Sequence, residues 1–263
     1  MDHGTTGDIK TIAQFFLISL ALCFNLFSIL ASSKLTGNGF IKLISNLSIG
    51  ALVIHLIIAF VGHGHSLQSP NVYLAVISAI LFLLTTLFHK DQKSLFMWGI
   101  YLGINLALGS LIYLDFAHMQ LMPFLFLVSS ALLCGVITYA MTLGHWYLVV
   151  PKLSEKPLVK AALITWVILA LKMTWSSYAL YKNYDFFAEG TTLGSGYVFN
   201  WVMLTMRVSF GYLVIAGMSY FNWRLVNMRS IQSSTGVLYA MTFFVFIGEL
   251  ISSFLFFNYG LYL

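Results

Sequence analysis

The stretch LAVISAILFLLTTLF, residues 74–88, runs without one charged side chain for about four helical turns. Such a segment has no polar face to turn towards water, and it is one of eight. A bilayer core of ~30 Å requires roughly 20 apolar residues per helix. The chain meets that requirement at approximately 11–32, 40–62, 72–88, 94–114, 121–150, 158–181, 197–223 and 236–258. A transmembrane β-barrel would instead alternate apolar and polar residues in segments of about ten, and continuous runs of this kind exclude it. With 263 residues, 60% hydrophobic and only 8% charged, the chain lacks the polar surface to cover a water-soluble globule. The spans leave only short connections, so the expected architecture is a single all-α, eight-helix membrane bundle over residues 1–263, without a soluble domain.

The positions of the thirteen Lys and Arg carry more information than the net charge of +5. Lys34 and Lys42 flank the first connection, Lys90 and Lys93 lie in the third, Lys152, Lys156 and Lys160 at the fifth, and Arg224 and Arg229 at the seventh. The even connections and the tails hold Lys10 and Lys182. The positive-inside rule therefore places the odd connections in the cytoplasm and both termini outside, as expected for a bacterial inner-membrane protein. The basic charge reports topology and needs no nucleic-acid partner. The leading MDHGTTGDIK is acidic and polar where a signal peptide would be basic, so the first span is expected to remain. Cys23 and Cys134 fall within spans, where thiols act as small hydrophobes, and no disulfide framework is indicated.

Punctuation between spans is ordinary: KLTGNG, SLQSPN, FHKDQKS and VPKLSEKP read as turns. RLVNMRSIQSSTG ends in Ser-Ser-Thr-Gly, an N-cap signal for the last helix. The longest outer connection, NYDFFAEGTTLGSG, reads as a loop on the membrane surface, either an aromatic girdle or a lid over a ligand. The two halves of the chain show no repeat of the sort that marks many transporters.

Four ionisable residues lie deep inside spans: His55, Lys172, Arg207 and Glu249. Each costs a few kcal/mol there and is a functional-site hypothesis by default. Counted from the cytoplasmic end of its span at 1.5 Å per residue, each falls about 20–24 Å above the inner edge. One polar layer in the outer half of the bundle follows. Trp175 and Ser176 lie one turn from Lys172, Ser252 and Ser253 follow Glu249, and Asn200 and Trp201 sit above Arg207. Two cations to one carboxylate call for an anion, and ring faces with hydroxyls suit a flat, partly polar ligand such as a quinone. The structural alternative is an Arg207–Glu249 pair that fixes packing, with Lys172 snorkelling outward and His55 held neutral by a neighbour.

A possible second site is His145, which closes a face of Cys134, Thr138 and Thr142 at helical spacing. It lies ~8 Å from the inner edge, so His55 and His145 differ in depth by roughly 15 Å. That gap disfavours one haem held between them. His63, His65 and His118, with Asp115, lie in outer connections and carry a weak signal for copper or zinc. Walker, dinucleotide, H-E-x-x-H, G-x-S-x-G and C-x-x-C-H patterns are absent. The expected function is a membrane subunit or accessory protein binding a quinone or haem in an electron-transfer system, alone or with other membrane subunits. A transporter or channel for a small anion or protons, a membrane scaffold and a membrane enzyme are the alternatives.

Overall fold

A computed structural model describes residues 5–31, 33–63, 69–88, 94–150 and 153–263. All its described secondary structure is helical: α1 (Thr5–Ser28), a single turn α2 (Ser33–Thr36), α3 (Asn38–His63), α4 (Pro70–Phe88), α5 (Leu95–Leu111), α6 (Leu121–Val149), α7 (Lys156–Lys182), α8 (Tyr197–Val208), α9 (Ile215–Asn227) and α10 (Ile231–Tyr259). Among the described residues, eight helical segments are long and apolar enough to cross a membrane, as an integral membrane protein requires. Helices are the form such sequences must take, because backbone groups in lipid find partners only within their own segment.

Two of the eight spans contain a π-helical turn. Ile112–Phe116 extends α5, and Ser209–Val214 joins α8 to α9. The spans begin where sequence chemistry permits. Pro70 opens α4, and Pro157 sits in the first turn of α7, where its missing N–H costs nothing. The Ser94 side chain accepts from the Met97 amide at 3.2 Å and caps α5. Gly260, at φ +67°, ends α10 in the left-handed conformation that glycine adopts without a Cβ penalty.

The last helix starts at Ile231, earlier than its Ser-Ser-Thr-Gly signal predicts. Ser234 donates to Asn222 Oδ1 at 2.6 Å, and Thr235 returns its proton to the Ile231 carbonyl at 2.8 Å. With their hydroxyls satisfied in these ways, the residues serve as helix interior instead of cap. The connection between α7 and α8 also differs from a surface loop. Phe186 and Phe187 are buried, and Asn200 donates to the Phe186 carbonyl at 2.8 Å and the Leu193 carbonyl at 3.0 Å. Trp201 Nε1 reaches the Phe187 carbonyl at 2.9 Å. Gly194, at φ +65°, has no room for a Cβ, which would meet the Phe186 ring at 2.4 Å. The connection therefore folds inward as a cap on the start of α8.

Two lobes share α1 and α6. In one, α1 packs on α3 and α5, and α4 lies between α3 and α5, around Phe15, Leu52, Phe82, Ile104 and Phe126. In the other, α6 packs on α7 and α10, and α9 on α7 and α10, around Leu133, Tyr139, Leu158 and Val245. The most apolar stretch of α1 is 67% buried inside the protein and that of α6 61%, against 28% for α4. The polar layer forms around the well-covered α6 and α10.

Candidate functional site: a buried charge network beside a cleft

Three of the four deep ionisable residues converge. Lys172 Nζ lies 2.6 Å from Glu249 Oε2, and Arg207 Nη1 lies 2.9 Å from Oε1. One carboxylate thus bridges cations from α7 and α8. Lys172 also donates to the Ser130 hydroxyl on α6 and stands 5.1 Å from the centre of the Phe126 ring. It points into the bundle and is 2% exposed, so it does not snorkel. On the other side, Arg207 Nη2 donates to the Tyr212 hydroxyl at 2.8 Å, which shares a 2.5 Å hydrogen bond with Ser176. The chain Ser130, Lys172, Glu249, Arg207, Tyr212, Ser176 is buried throughout.

Local backbone makes this geometry possible. In a regular helix of 3.6 residues per turn, a residue five positions on is displaced by about 140°. The π-turn at Ser209–Val214 supplies i→i+5 spacing and brings Tyr212 back over Arg207, whose guanidinium carbon lies 4.3 Å from the ring centre. Two glycines set the helix separation. A Cβ on Gly248 would sit 2.4 Å from the Gly211 Cα, and one on Gly211 would sit 2.6 Å from Arg207 Nη1. The backbones of α10 and the π-turn therefore touch one residue before Glu249, and the ion pair closes across that contact.

A cleft of about 110 Å³ adjoins the network, lined by Met173, Ser176 and Ser177 of α7, Arg207 and Val208 of α8, and Tyr212. Met173, Ser177 and Val208 belong to the exposed surface of the bundle, so the cleft faces outward between α7 and α8. Arg207 Nε is buried and has no hydrogen-bond partner among the described residues. A buried donor left unmade is costly, most of all on a charged group. The site combines two cations with one carboxylate, an unmet donor and a small entrance.

The remaining sequence candidates lie elsewhere. His55 is buried, but α3 packs on α1 and α4, and His55 is absent from the hydrogen bonds that join the three charges. Trp175 packs against Phe126 at 6.5 Å between ring centres, beside Lys172 and away from the cleft. Ser252 donates to the Leu263 backbone oxygen. Thr138 and Thr142 return their hydroxyl protons to the carbonyls of Cys134 and Thr138, each at 2.8 Å. His145 stands on the exposed side of α6, its Nδ1 2.8 Å from the Tyr239 hydroxyl. His118 is exposed in the turn before α6, while Asp115 accepts from Asn71 at 2.7 Å. The side chain of His63 and all of His65 lie outside the described residues. Among the described residues, no group of three or more His, Cys, Asp and Glu is placed to hold a metal.

Sequence reasoning missed Tyr212, Ser130 and the Gly211–Gly248 contact. Only Gly248, next to an intramembrane carboxylate, carried a signal, since small residues permit close helix approach in membranes. No protein-family model, curated protein or solved structure matches the chain.

Proposed function

We propose that the chain is a multi-pass protein of the bacterial cytoplasmic membrane, with odd connections inside and both ends outside, that binds the polar head of a lipid-soluble ligand in the cleft between α7 and α8. A quinone is the ligand class that fits best. Arg207 carries this reading: its unpartnered Nε–H belongs to a residue lining a cleft between membrane-spanning helices, where a quinone carbonyl would supply the missing acceptor. Tyr212 and Ser176, both lining residues, offer further hydroxyls, and an isoprenoid tail would remain in lipid. Such a site belongs to an electron-transfer system, in which this chain serves as a subunit or accessory protein. Haem receives less support, because neither His55 nor His145 lines the cleft.

Small-anion passage is the second reading, favoured by the count of two cations to one carboxylate in the layer. The test is to purify the protein in nanodiscs, extract with organic solvent for quinone, and titrate a short-chain quinone analogue against tryptophan fluorescence. Saturable binding that Ser176→Ala and Tyr212→Phe weaken about tenfold, roughly one lost hydrogen bond each, supports the quinone site. Absence of both co-purified and saturably bound quinone refutes it, and chloride or phosphate flux in proteoliposomes that depends on Arg207 would favour passage.

A further inference from the structure

The free face of α3 carries a polar group that the protein itself does not satisfy. The helix packs on α1 and α4, and Asn46 stands among its exposed residues. The Asn46 carboxamide has no hydrogen-bond partner among the described residues. It lies seven residues beyond Gly39, where the span begins, about 10 Å along the helix. Hydrocarbon at that depth offers no partner either. Exposed hydroxyls in the spans meet their needs locally: Thr174 and Ser177 of α7 return their protons to the carbonyls of Ala170 and Met173 at 2.9 Å and 2.8 Å. A carboxamide holds two donors and an acceptor, more than one carbonyl of its own helix can satisfy, and in membranes such groups bond to a neighbouring helix.

Asn46 also heads a seam. Asn46, Gly50, Val53, Ile57 and Phe60 follow one another at spacings of four, three, four and three residues, and all five are exposed. That alternation is the heptad pattern of a left-handed helix pair, the commoner crossing in membranes. A Cβ added at Gly50 would meet nothing within 4 Å, which leaves room for a second backbone. Val53 and Ile57 supply β-branched knobs, and a single Asn in such a seam fixes register by bonding to its counterpart.

Height selects the occupant. A second copy in the same orientation, related by a two-fold axis along the membrane normal, brings its own Asn46 to the same depth. The carboxamide is self-complementary, donor to acceptor in each direction. We propose that α3 is a homodimer interface, with the two Asn46 carboxamides hydrogen-bonded across the axis and Gly50, Val53, Ile57 and Phe60 packed along it.

The experiment measures Förster transfer between donor- and acceptor-labelled full-length protein in liposomes over a range of protein-to-lipid ratios. Transfer exceeds that of randomly dispersed monomers and saturates as a dimer requires. Asn46→Ala raises the dissociation constant at least about threefold, the weight of one interhelical hydrogen bond in a membrane. Gly50→Leu, where the new Cβ meets nothing in the monomer, abolishes the excess transfer, and Gly99→Leu on α5, exposed and equally unobstructed, leaves it unchanged. Under mild oxidation Ile57→Cys gives a disulfide-linked dimer, and Ile54→Cys, off the seam, does not. A monomer at every ratio, a dimer that either seam substitution leaves intact, or linkage as fast through position 54 as through position 57 overturns the proposal and returns the face to lipid.

Discussion

Replacing Gly248 by alanine tests how the charge network is held. The new methyl carbon would sit 2.4 Å from the Gly211 Cα and 2.9 Å from its nitrogen, where ordinary contact begins at 3.4 Å. Both obstacles are backbone, so α10 must retreat by about 1 Å from the π-turn to restore contact. Passed on in full, that displacement stretches the 2.9 Å Arg207–Glu249 contact beyond hydrogen-bonding range. Overpacking costs about 1–3 kcal/mol, and loss of a charge-assisted hydrogen bond about 1.5–3 kcal/mol. Glycine to alanine in a helix returns about 0.5–1 kcal/mol. The expected net destabilisation is about 2–5 kcal/mol. Gly236 lies in the same helix with nothing within 4 Å of a new Cβ, so Gly236→Ala should be neutral or slightly stabilising. Denaturant unfolding of both variants in mixed micelles supplies the measurement. Coincident curves for G248A and G236A would refute the Gly211–Gly248 contact as the element that closes the ion pair.

Glu249→Gln leaves two buried cations without their carboxylate and should cost about 3–5 kcal/mol in the same assay, whereas joint replacement of Lys172, Arg207 and Glu249 by Met, Met and Leu should recover most of that loss. If the triple variant also keeps ligand binding, the network is structural. The Glu155–Arg229 pair, 3.2 Å apart with Arg229 79% exposed, should contribute little. Hydrogen bonding to its own backbone, with the Arg229 charge nearby, holds the Glu155 carboxyl below its usual range. Its small contribution is therefore present above the usual carboxylate range and lost as pH falls through the lowered value, which carboxyl NMR of wild type and Arg229→Ala would follow. Cys23 and Cys134 are buried and should resist a membrane-impermeant maleimide. In that silent background, Glu189→Cys should label from outside and Met228→Cys only from the cytoplasm; labelling of both from one side would overturn the topology.

The spans were legible because a bilayer imposes length and composition on every helix that crosses it. Lys172, Arg207 and Glu249 were legible for a related reason: charge at that depth is costly enough to stand out, and counting residues gives its height. Counting does not give azimuth. His55 shares the inferred height yet sits on α3, packed against α1 and α4, and only tertiary packing decides which residues at one level meet. Tyr212 was hidden because five-residue spacing leaves the Arg207 face in any regular helix, and the π-turn that restores it has no periodic signature. The early start of α10 and the inward fold of the α7–α8 connection were missed for a similar reason. Their polar groups are satisfied by residues distant in sequence: Asn222 for Ser234, and Asn200 and Trp201 for the loop carbonyls.

The claim that the α7–α8 cleft receives a quinone head is tested most directly by photo-crosslinking. A short-chain azidoquinone is irradiated with the nanodisc-embedded protein, and the attachment sites are mapped by mass spectrometry. The account predicts labelling at Met173, Ser177 and Val208, suppressed by excess unmodified quinone and reduced in Tyr212→Phe. Labelling that excess quinone does not suppress, or that falls on the lipid-facing sides of α4 and α5 and spares the cleft, would contradict it.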